Sequence, residues 1–315
     1  MTAVQKKRPA QRSGGGLWSA VKWTIAIGAA GALSGVFLLI FVFAYIYQQL
    51  PSIDVLTDYR PKVPLRVWSA EGRLIGEFGE ERRDFVRIAD VPKHVKDAIL
   101  CAEDDGFYEH HGIELMGIAR AAIVNVLTGR RGSTITMQVA RNFFLTTERS
   151  YTRKLYEIAM SFKIENELTK DQILEIYMNQ IYLGQRAYGF EAAAKTYFGR
   201  PLAEISVGEA ATIAGLPVAP SAYNPIVNPT RATMRRNYVL RRMYDLGRID
   251  ELTYQTEKSL PMEVRRAVEL NAVKTSERAD SDVVTAHYAA ELARMLVYDI
   301  FGNETYSRGL NVYTT

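Results

Sequence analysis

The chain has 315 residues, a formal charge of +4 and 48% apolar residues, enough for one large or two ordinary domains with an ample core. A single cysteine, Cys101, excludes an internal disulfide framework, and the four histidines (His94, His110, His111 and His287) have no spacing that suits a zinc site. The charge is mild but uneven: no acidic residue precedes Asp54, whereas Lys6, Lys7, Arg8, Arg12 and Lys22 are basic.

From Trp23 to Tyr47 the chain is almost wholly apolar and carries no charge. A bilayer core needs about 20 such residues in a helix. The run is too long for a signal-peptide core and lacks a convincing small-residue cleavage site, so it reads as a retained anchor rather than a buried hairpin helix. The basic flank then stays in the cytoplasm, and everything after Gln48 lies outside. Pro51 to Pro64 is a polar, proline-marked connector, and partial alternation from Leu65 to Phe78 around Ala70-Glu71-Gly72 predicts a small hairpin. Glu80 to Asp84 reads as a charged surface patch. From Pro92 the pattern is helical.

The first chemically suggestive stretch is Ile99-Leu-Cys-Ala-Glu-Asp-Asp-Gly-Phe-Tyr-Glu-His-His-Gly112. Val95, Ala98, Ile99 and Ala102 recur at helical spacing and deliver Glu103 to the end of an apolar helix. A carboxylate at the rim of a buried element has its pKa lifted by desolvation, which is how a general base or acid is built. The plainer alternative is an acidic helix end with a solvated turn. Cys101, among apolar neighbours, reads as a small core residue.

Ile113 to Leu127 is amphipathic and closes at Gly129. A cationic segment follows, with Arg130, Arg131, Arg141, Arg149, Arg153 and Lys154 against Glu148 alone before Glu157. Within it Gly132-Ser-Thr-Ile-Thr-Met-Gln138 supplies hydroxyls, an amide and a helix N-terminus, and such termini together with arginine forks bind phosphate oxygens. Arg153 and Lys154 lie four and three residues before Glu157 and share its helix face. A surface basic face paired with Glu157 explains the same pattern. Nucleic acid is a poor partner for a segment on the outer side of a membrane, and an anionic ligand delivered by the bilayer, such as a lipid pyrophosphate, suits it better. Thr169-Lys-Asp-Gln172 and Ser206-Val-Gly-Glu209 are capping boxes that open helices. Leu216 to Pro229, with four prolines, is an extended surface loop, and Arg231 to Leu246 is a helix ending at Gly247.

These stretches together resemble the peptidoglycan glycosyltransferase domain (glycosyltransferase family 51) of class A, bifunctional penicillin-binding proteins. Glu103-Asp-Asp-Gly-Phe107 with His110 and Gly112 is similar to the first family motif, and Gly132 to Asn142 to the second. Arg153-Lys154-Leu-Tyr-Glu157 resembles the third. Ile173-Leu-Glu-Ile-Tyr177-Met-Asn179 through Gly184, with Ala192 to Gly199, resembles the fourth, and Glu209 to Pro217 with Pro220 to Pro225 the fifth. The five motifs stand in order behind the anchor and cover about residues 65 to 245. Arg141 stands where the family usually has lysine, Met137 where glutamine is common, and Thr147 where proline is common. Arginine keeps the charge of lysine but presents a fork rather than a point.

The resemblance implies a mainly α, lysozyme-like fold with a mobile region between the second and third motifs. It divides the chain into a cytoplasmic tail (1–22), a transmembrane helix (23–48), a connector with the hairpin (49–77), the glycosyltransferase domain (78–260) and a linker (261–315). It also implies polymerisation of lipid II onto a nascent glycan strand with release of undecaprenyl pyrophosphate and inversion at the anomeric carbon. Glu103 is then the general base and Glu157 the second catalytic carboxylate. Asp104, Phe107, Ser133, Thr134, Gln138, Arg141, Arg149, Arg153, Lys154 and Asn179 are the implied substrate-binding residues.

No cofactor is required by this pattern. Family members often respond to Mg2+ or Mn2+, and Glu157 is where such an ion would sit, but the sequence shows no cage for it. The bilayer and other cell-wall synthesis proteins are the implied partners. An apolar surface from Leu115 to Val126 and Phe143 to Leu145 is a candidate membrane-dipping face or ordinary core. The tail from Asp282, ending Gly-Leu-Asn-Val-Tyr-Thr-Thr315, resembles the strand leading into a transpeptidase domain. Ser19-Ala-Val-Lys22 has S-x-x-K spacing but no partners, so the expectation is a chain that stops before that domain. Two rival functions are a lysozyme-like glycan-cleaving enzyme and a non-enzymatic membrane-anchored scaffold. A neutral glycan leaving group does not call for the cations, and a scaffold does not call for the motif residues.

Overall fold

A computed structural model describes residues 15–57, 65–79, 82–112, 133–144, 151–264, 281–306 and 308–314. The helix expected over Ile113 to Leu127, Arg130, Arg131, Leu145 and Arg149 lie outside the described residues, as do residues 145–150 of the segment expected to be mobile between the second and third motifs. The chain divides into two units, residues 1–50 and 51–315.

The first unit is helix α1, Gly15–Gln48. Within its 28 residues from Val21 to Gln48 an 18-residue window has a mean hydropathy of 2.5, and Ile25, Leu33, Phe37 and Phe41 are exposed. At 1.5 Å per residue such a helix is about 42 Å long, more than the roughly 30 Å of a hydrocarbon core. An apolar cylinder of this length without a protein cover is a candidate membrane span.

The second unit begins with the short helix α2 (Asp54–Thr57) and the hairpin expected from the alternation. Strand β1 (Leu65–Trp68) pairs antiparallel with β2 (Leu74–Phe78), with Leu65 opposite Phe78 and a register shift at Val67/Trp68. β3 is the two-residue strand Arg82–Arg83 and β4 is Ala187–Tyr188; these two run parallel. The last strand, β5 (Asn311–Tyr313), pairs parallel with β1 and completes a three-stranded sheet ordered β2-β1-β5.

The remaining elements are helical, so the unit is mainly α as expected. They are α3 (Lys93–Glu103), α4 (Ile135–Phe144), α5 (Tyr151–Glu167), α6 (Lys170–Gln180), α7 (Phe190–Phe198), α8 (Val207–Ala214), α9 (Pro229–Asp245), α10 (Glu251–Ser259) and α11 (Ser281–Phe301). Both predicted capping boxes form. Thr169 and Gln172 exchange bonds at the start of α6, and Ser206 and Glu209 do so at the start of α8. α8 is apolar nearly all round, with Ala210, Ala211, Ile213 and Ala214 buried, because α3 and α9 both pack on it. Helix α9 starts two residues before the expected position, since Pro229 at its first turn has the fixed φ that a helix start uses.

The expected surface patch at Glu80 to Asp84 needs correction. Glu80 and Glu81 lie outside the described residues, but Arg83 is buried, stacked 4.4 Å from the Tyr188 ring centroid and bonded to Gln180 Oε1 at 2.6 Å. Asp84 pairs with Arg66 at 2.7 Å and Lys195 at 3.4 Å. The charges face inward because a helical body packs over them, which local sequence does not reveal. The loop from Leu216 to Pro229 is likewise a chain of turns with Asn224 and Pro225 buried.

Against the three-stranded sheet lies α11, with Leu65, Val67, Ala290 and Ala293 at the centre of a small separate core. Gly76 permits this approach, because a Cβ there would stand 2.8 Å from the Cβ of Ala290. Gly76→Val is expected to destabilise this sheet and helix layer by about 1–3 kcal/mol through overpacking. Hydrogen exchange should show faster opening of β1, β2 and α11 while α6 and α8 keep their protection.

Candidate active site

The site is assembled where α3 ends and α4 begins. Asp104 follows the last residue of α3, and its buried carboxylate accepts from the Ile135 N–H at 3.0 Å, at the open N-terminus of α4. A carboxylate there satisfies an orphan donor and opposes the positive end of the helix dipole. The same carboxylate receives His110 Nε2–H at 2.9 and 3.1 Å, and the His110 ring stands edge-on to Phe107. Thr134 adds a second tie, donating to Gly112 O at 2.7 Å and accepting from the Met137 N–H at 3.2 Å. Gly112 has φ +78, and a Cβ there would meet Ser161 O at 3.2 Å, so glycine is required at this junction.

Helix α4 then carries two functional side chains three residues apart on one face. Gln138 donates from Nε2 to Glu103 Oε2 at 2.7 Å. The other oxygen, Glu103 Oε1, is buried with no hydrogen-bond partner among the described residues. Burial pushes the Glu103 carboxyl up, against the Gln138 bond and the charge of Arg235, while Asp104 adds to the rise. A carboxyl that is reluctant to stay ionised and has one free oxygen is suited to taking a proton.

Arg141, one turn on, reaches the other way. Its guanidinium forks onto Glu157, Nε to Oε1 at 2.9 Å and an η nitrogen to Oε2 at 3.3 Å, and touches Ser133 Oγ at 3.1 Å. Lys154 Nζ is 3.0 Å from Glu157 Oε2 and Arg153 Nε 3.4 Å from Oε1. Glu157 is 1% exposed. Its burial alone would raise its pKa, but the bonds from Arg141 and Lys154 outweigh that and hold the carboxyl below the ordinary range. Three cations around one carboxylate leave a net positive cluster, with Lys154 and Arg141 partly open to solvent. Such a cluster is chemically suited to phosphate oxygens.

The structure therefore brings Glu103, Gln138, Ser133, Arg141, Arg153, Lys154 and Glu157 together around α4, while Arg149 lies outside the described residues. Asp104, Thr134, Phe107 and Asn179, implied as substrate contacts, are buried in internal contacts instead. Phe107 is fully buried, with Lys170 Nζ 4.4 Å above its ring. Asn179 bonds both backbone groups of Val86, at 2.9 and 2.8 Å, and so pins the segment after β3 to α6. These four shape the wall of the site. Their place in the motifs does not separate them from ligand contacts, because a motif position can serve either purpose.

Two residues escaped the sequence reading as site members. Arg235, on α9, bonds Gly215 O at 3.2 Å and its charge acts on Glu103. Tyr177, on α6, is fully buried, and Glu103 and Asp104 act on its hydroxyl. Both come from helices far along the chain: Tyr177 stands within the fourth motif with no role assigned to it, and Arg235 lies outside the matched motifs.

A divalent ion does not fit this donor set. Among the described residues no group of three or more His, Cys, Asp or Glu side chains converges. The carboxylate of Glu157 is already bound by three cations, whose charge would repel a metal. Phe143 and Phe144 are half-buried with ring centroids 6.3 Å apart.

Because the Glu157 carboxyl is lowered, its stabilisation is complete above the ordinary value of 4.5 and is lost as pH falls through the native one. Glu157→Gln is expected to remove that acid limb and to lower stability at neutral pH by about 1.5–3 kcal/mol, the range for hydrogen bonds to charged groups. Thermal melts from pH 7 down to pH 3 check both. An unchanged melting curve would show that the cluster contributes nothing to the fold.

Comparison with known proteins places this geometry. The chain is 47% identical over 287 residues to penicillin-binding protein 1A of Neisseria flavescens, covering 90% of this chain and 35% of that protein. It is 45% identical over 301 residues to penicillin-binding protein 1A of Pseudomonas aeruginosa, covering 95% and 34%. The crystal structure of penicillin-binding protein 1A from Haemophilus influenzae matches with 30% identity and a TM-score of 0.47, over 81% of this chain and 27% of that one. The chain spans about a third of the length of the curated relatives it matches. With the apolar helix α1, these relatives mark it as a membrane-anchored protein. The family model described as Transglycosylase matches residues 71–244, more than half of the sequence and the whole of the site described above. The chain belongs to the transglycosylase family.

Proposed function

We propose that this chain is the peptidoglycan glycosyltransferase part of a membrane-anchored cell-wall enzyme, polymerising lipid II. The observation that carries the reading is the pair of carboxylates, both bonded to side chains of α4, whose proton affinities are pushed in opposite directions. Glu103 is raised by burial and keeps one oxygen unpartnered, and Glu157 is kept ionised within three cations. Environments that push two titratable groups apart are how acid–base roles are divided in an active site.

In this reading Glu103 removes the proton from the 4-hydroxyl of the incoming lipid II. That oxygen attacks the anomeric carbon of the growing strand from the face opposite the pyrophosphate. The carbon–oxygen bond to the pyrophosphate breaks, its electron pair leaves with the undecaprenyl pyrophosphate, and α becomes β. Arg141, Arg149, Arg153 and Lys154 neutralise the departing charge, and Glu157 holds three of them in place. Gln138 orients Glu103, and Ser133 steadies Arg141. No metal is needed in this scheme.

The opposed roles also argue against glycan cleavage by a two-carboxylate retaining mechanism. A nucleophilic carboxylate needs a free oxygen, and both oxygens of Glu157 are occupied by cations. A domain over about 78–260 carries this chemistry, and α1 holds it at the bilayer that delivers the lipid-linked substrate. The basic residues before Trp23 support a cytoplasmic N-terminus with the catalytic domain on the outer face of the cytoplasmic membrane.

Replacing Glu103 with Gln should reduce the polymerisation rate from purified lipid II by about 10²–10⁴-fold, the usual worth of a general base, with an unchanged melting temperature. Near-normal glycan synthesis by that variant would remove Glu103 from the base role. Lys154→Ala should lower kcat on the order of 10²-fold, with a smaller change in KM, because its charge acts on the leaving group in the transition state. Arg130→Ala and Arg131→Ala should give small, salt-sensitive effects. Initial rates across lipid II concentrations separate these outcomes, and equal losses at all positions would point to a diffuse membrane-attracting patch.

A further inference from the structure

Tyr177 stands on the third turn of α6, with its ring fully buried beside that of Phe190 at 6.4 Å between centroids. Its hydroxyl is buried and has no hydrogen-bond partner among the described residues, and neither has Glu103 Oε1. Two buried polar atoms, one a donor and one an acceptor, are costly when left unpaired. The charges that act on the Tyr177 hydroxyl come from Glu103 and Asp104. Asp104 already accepts from His110 and from the Ile135 N–H, whereas Glu103 has one bond, from Gln138 to its other oxygen. The available acceptor is therefore Glu103 Oε1.

We propose that Tyr177 is a positioning residue for Glu103: its phenolic hydroxyl serves Oε1 through one shared water and fixes the carboxylate at the oxygen that Gln138 leaves free. This deepens the glycosyltransferase reading and rests on Glu103 being its base. The arrangement has a clear consequence for proton transfer. Glu103 sits at the C-terminal end of α3, where the helix dipole disfavours negative charge, and it is also desolvated. Gln138 from α4 and the Arg235 charge from α9 oppose those effects, and Asp104 adds to them. A phenolic donor from α6 supplies a further stabilisation of the ionised form without bringing in a charge. It favours the ionised form while burial leaves the carboxylate basic enough to accept a proton. When the acceptor sugar hydroxyl arrives, the same oxygen receives its proton along a direction that Tyr177 has set.

Glu103 acts as a base only when ionised, so activity rises with pH through its pKa. Removing a donor to the ionised form raises that pKa. Tyr177→Phe, which keeps the ring and its packing, should move the acid limb of the kcat/KM profile upward by about one pH unit or more. Below the shifted limb the loss should reach about tenfold, with recovery at higher pH and little change in KM. Placing 3-fluorotyrosine at position 177, a stronger donor of nearly the same shape, should move the limb the other way. A purely packing role would lower the melting temperature and leave the limb in place. An unmoved limb in both variants would overturn the proposal.

A second readout does not need turnover. The 13C-labelled Glu103 carboxyl, assigned by its absence from Glu103→Gln, can be titrated in the full detergent-solubilised chain with tyrosine or 3-fluorotyrosine at 177. A downward shift with the fluorinated ring supports the coupling, and superimposable titrations overturn it, even where Tyr177→Phe fails to fold. If the natural chain makes no polymer from lipid II, the glycosyltransferase reading fails, while this titration still decides whether Tyr177 governs Glu103.

Discussion

The carboxylate of Asp104 is the constraint on which the site depends. It closes the N-terminus of α4 by accepting the Ile135 N–H, and it also accepts from His110. The chain between Gly112 and Ser133 lies outside the described residues, so in the described structure the register between α3 and α4 comes from this carboxylate and from Thr134. That register decides where Gln138 and Arg141 point. Rotating α4 by one residue, about 100°, would take both away from their carboxylates at once.

Given that register, one face of α4 meets two carboxylates in different electrostatic environments. Glu103 has one neutral donor and an oxygen without a partner among the described residues. Glu157 is buried and surrounded by three cations, and its surplus of positive charge faces outward through Arg141 and Lys154. Desolvation acts on both groups in the same direction, and only the partners differ, so the partners decide which carboxyl takes a proton and which stays ionised. The lysine-to-arginine departure fits this design, since a fork can bind both oxygens of Glu157 where an ammonium would meet one. Cys101, two residues before Glu103, shows what burial does without a partner: its thiol is pushed up to about 11 and stays inert.

The three-stranded sheet is a separate layer of the second unit with its own small core. It joins β1, near the start of that unit, to β5, near its end, in a parallel pair. A connection between residues 66 and 311 confines the ends of the helical body, whose chemistry lies in between. The family match from 71 to 244 covers the hairpin's second strand and the helices through most of α9, but not β5 or α11.

Much of this protein is written locally. The apolar run of α1, the capping boxes at Thr169 and Ser206, the hairpin at Leu65–Phe78 and the delivery of Glu103 to a helix end all follow from short-range patterns. These are features whose physics involves residues within a few positions of one another. Motif order along the chain also pointed to the chemical class. The tertiary structure alone decided which motif residues face the site and which hold its wall, because Asp104, Phe107, Thr134 and Asn179 look the same in sequence as Gln138 and Arg141. It alone brought Tyr177 and Arg235 within electrostatic range of Glu103, and buried Arg83 against Tyr188. Those interactions join residues tens to more than a hundred positions apart. Their energies depend on burial and on the direction of a side chain, quantities that exist only once the helices have packed.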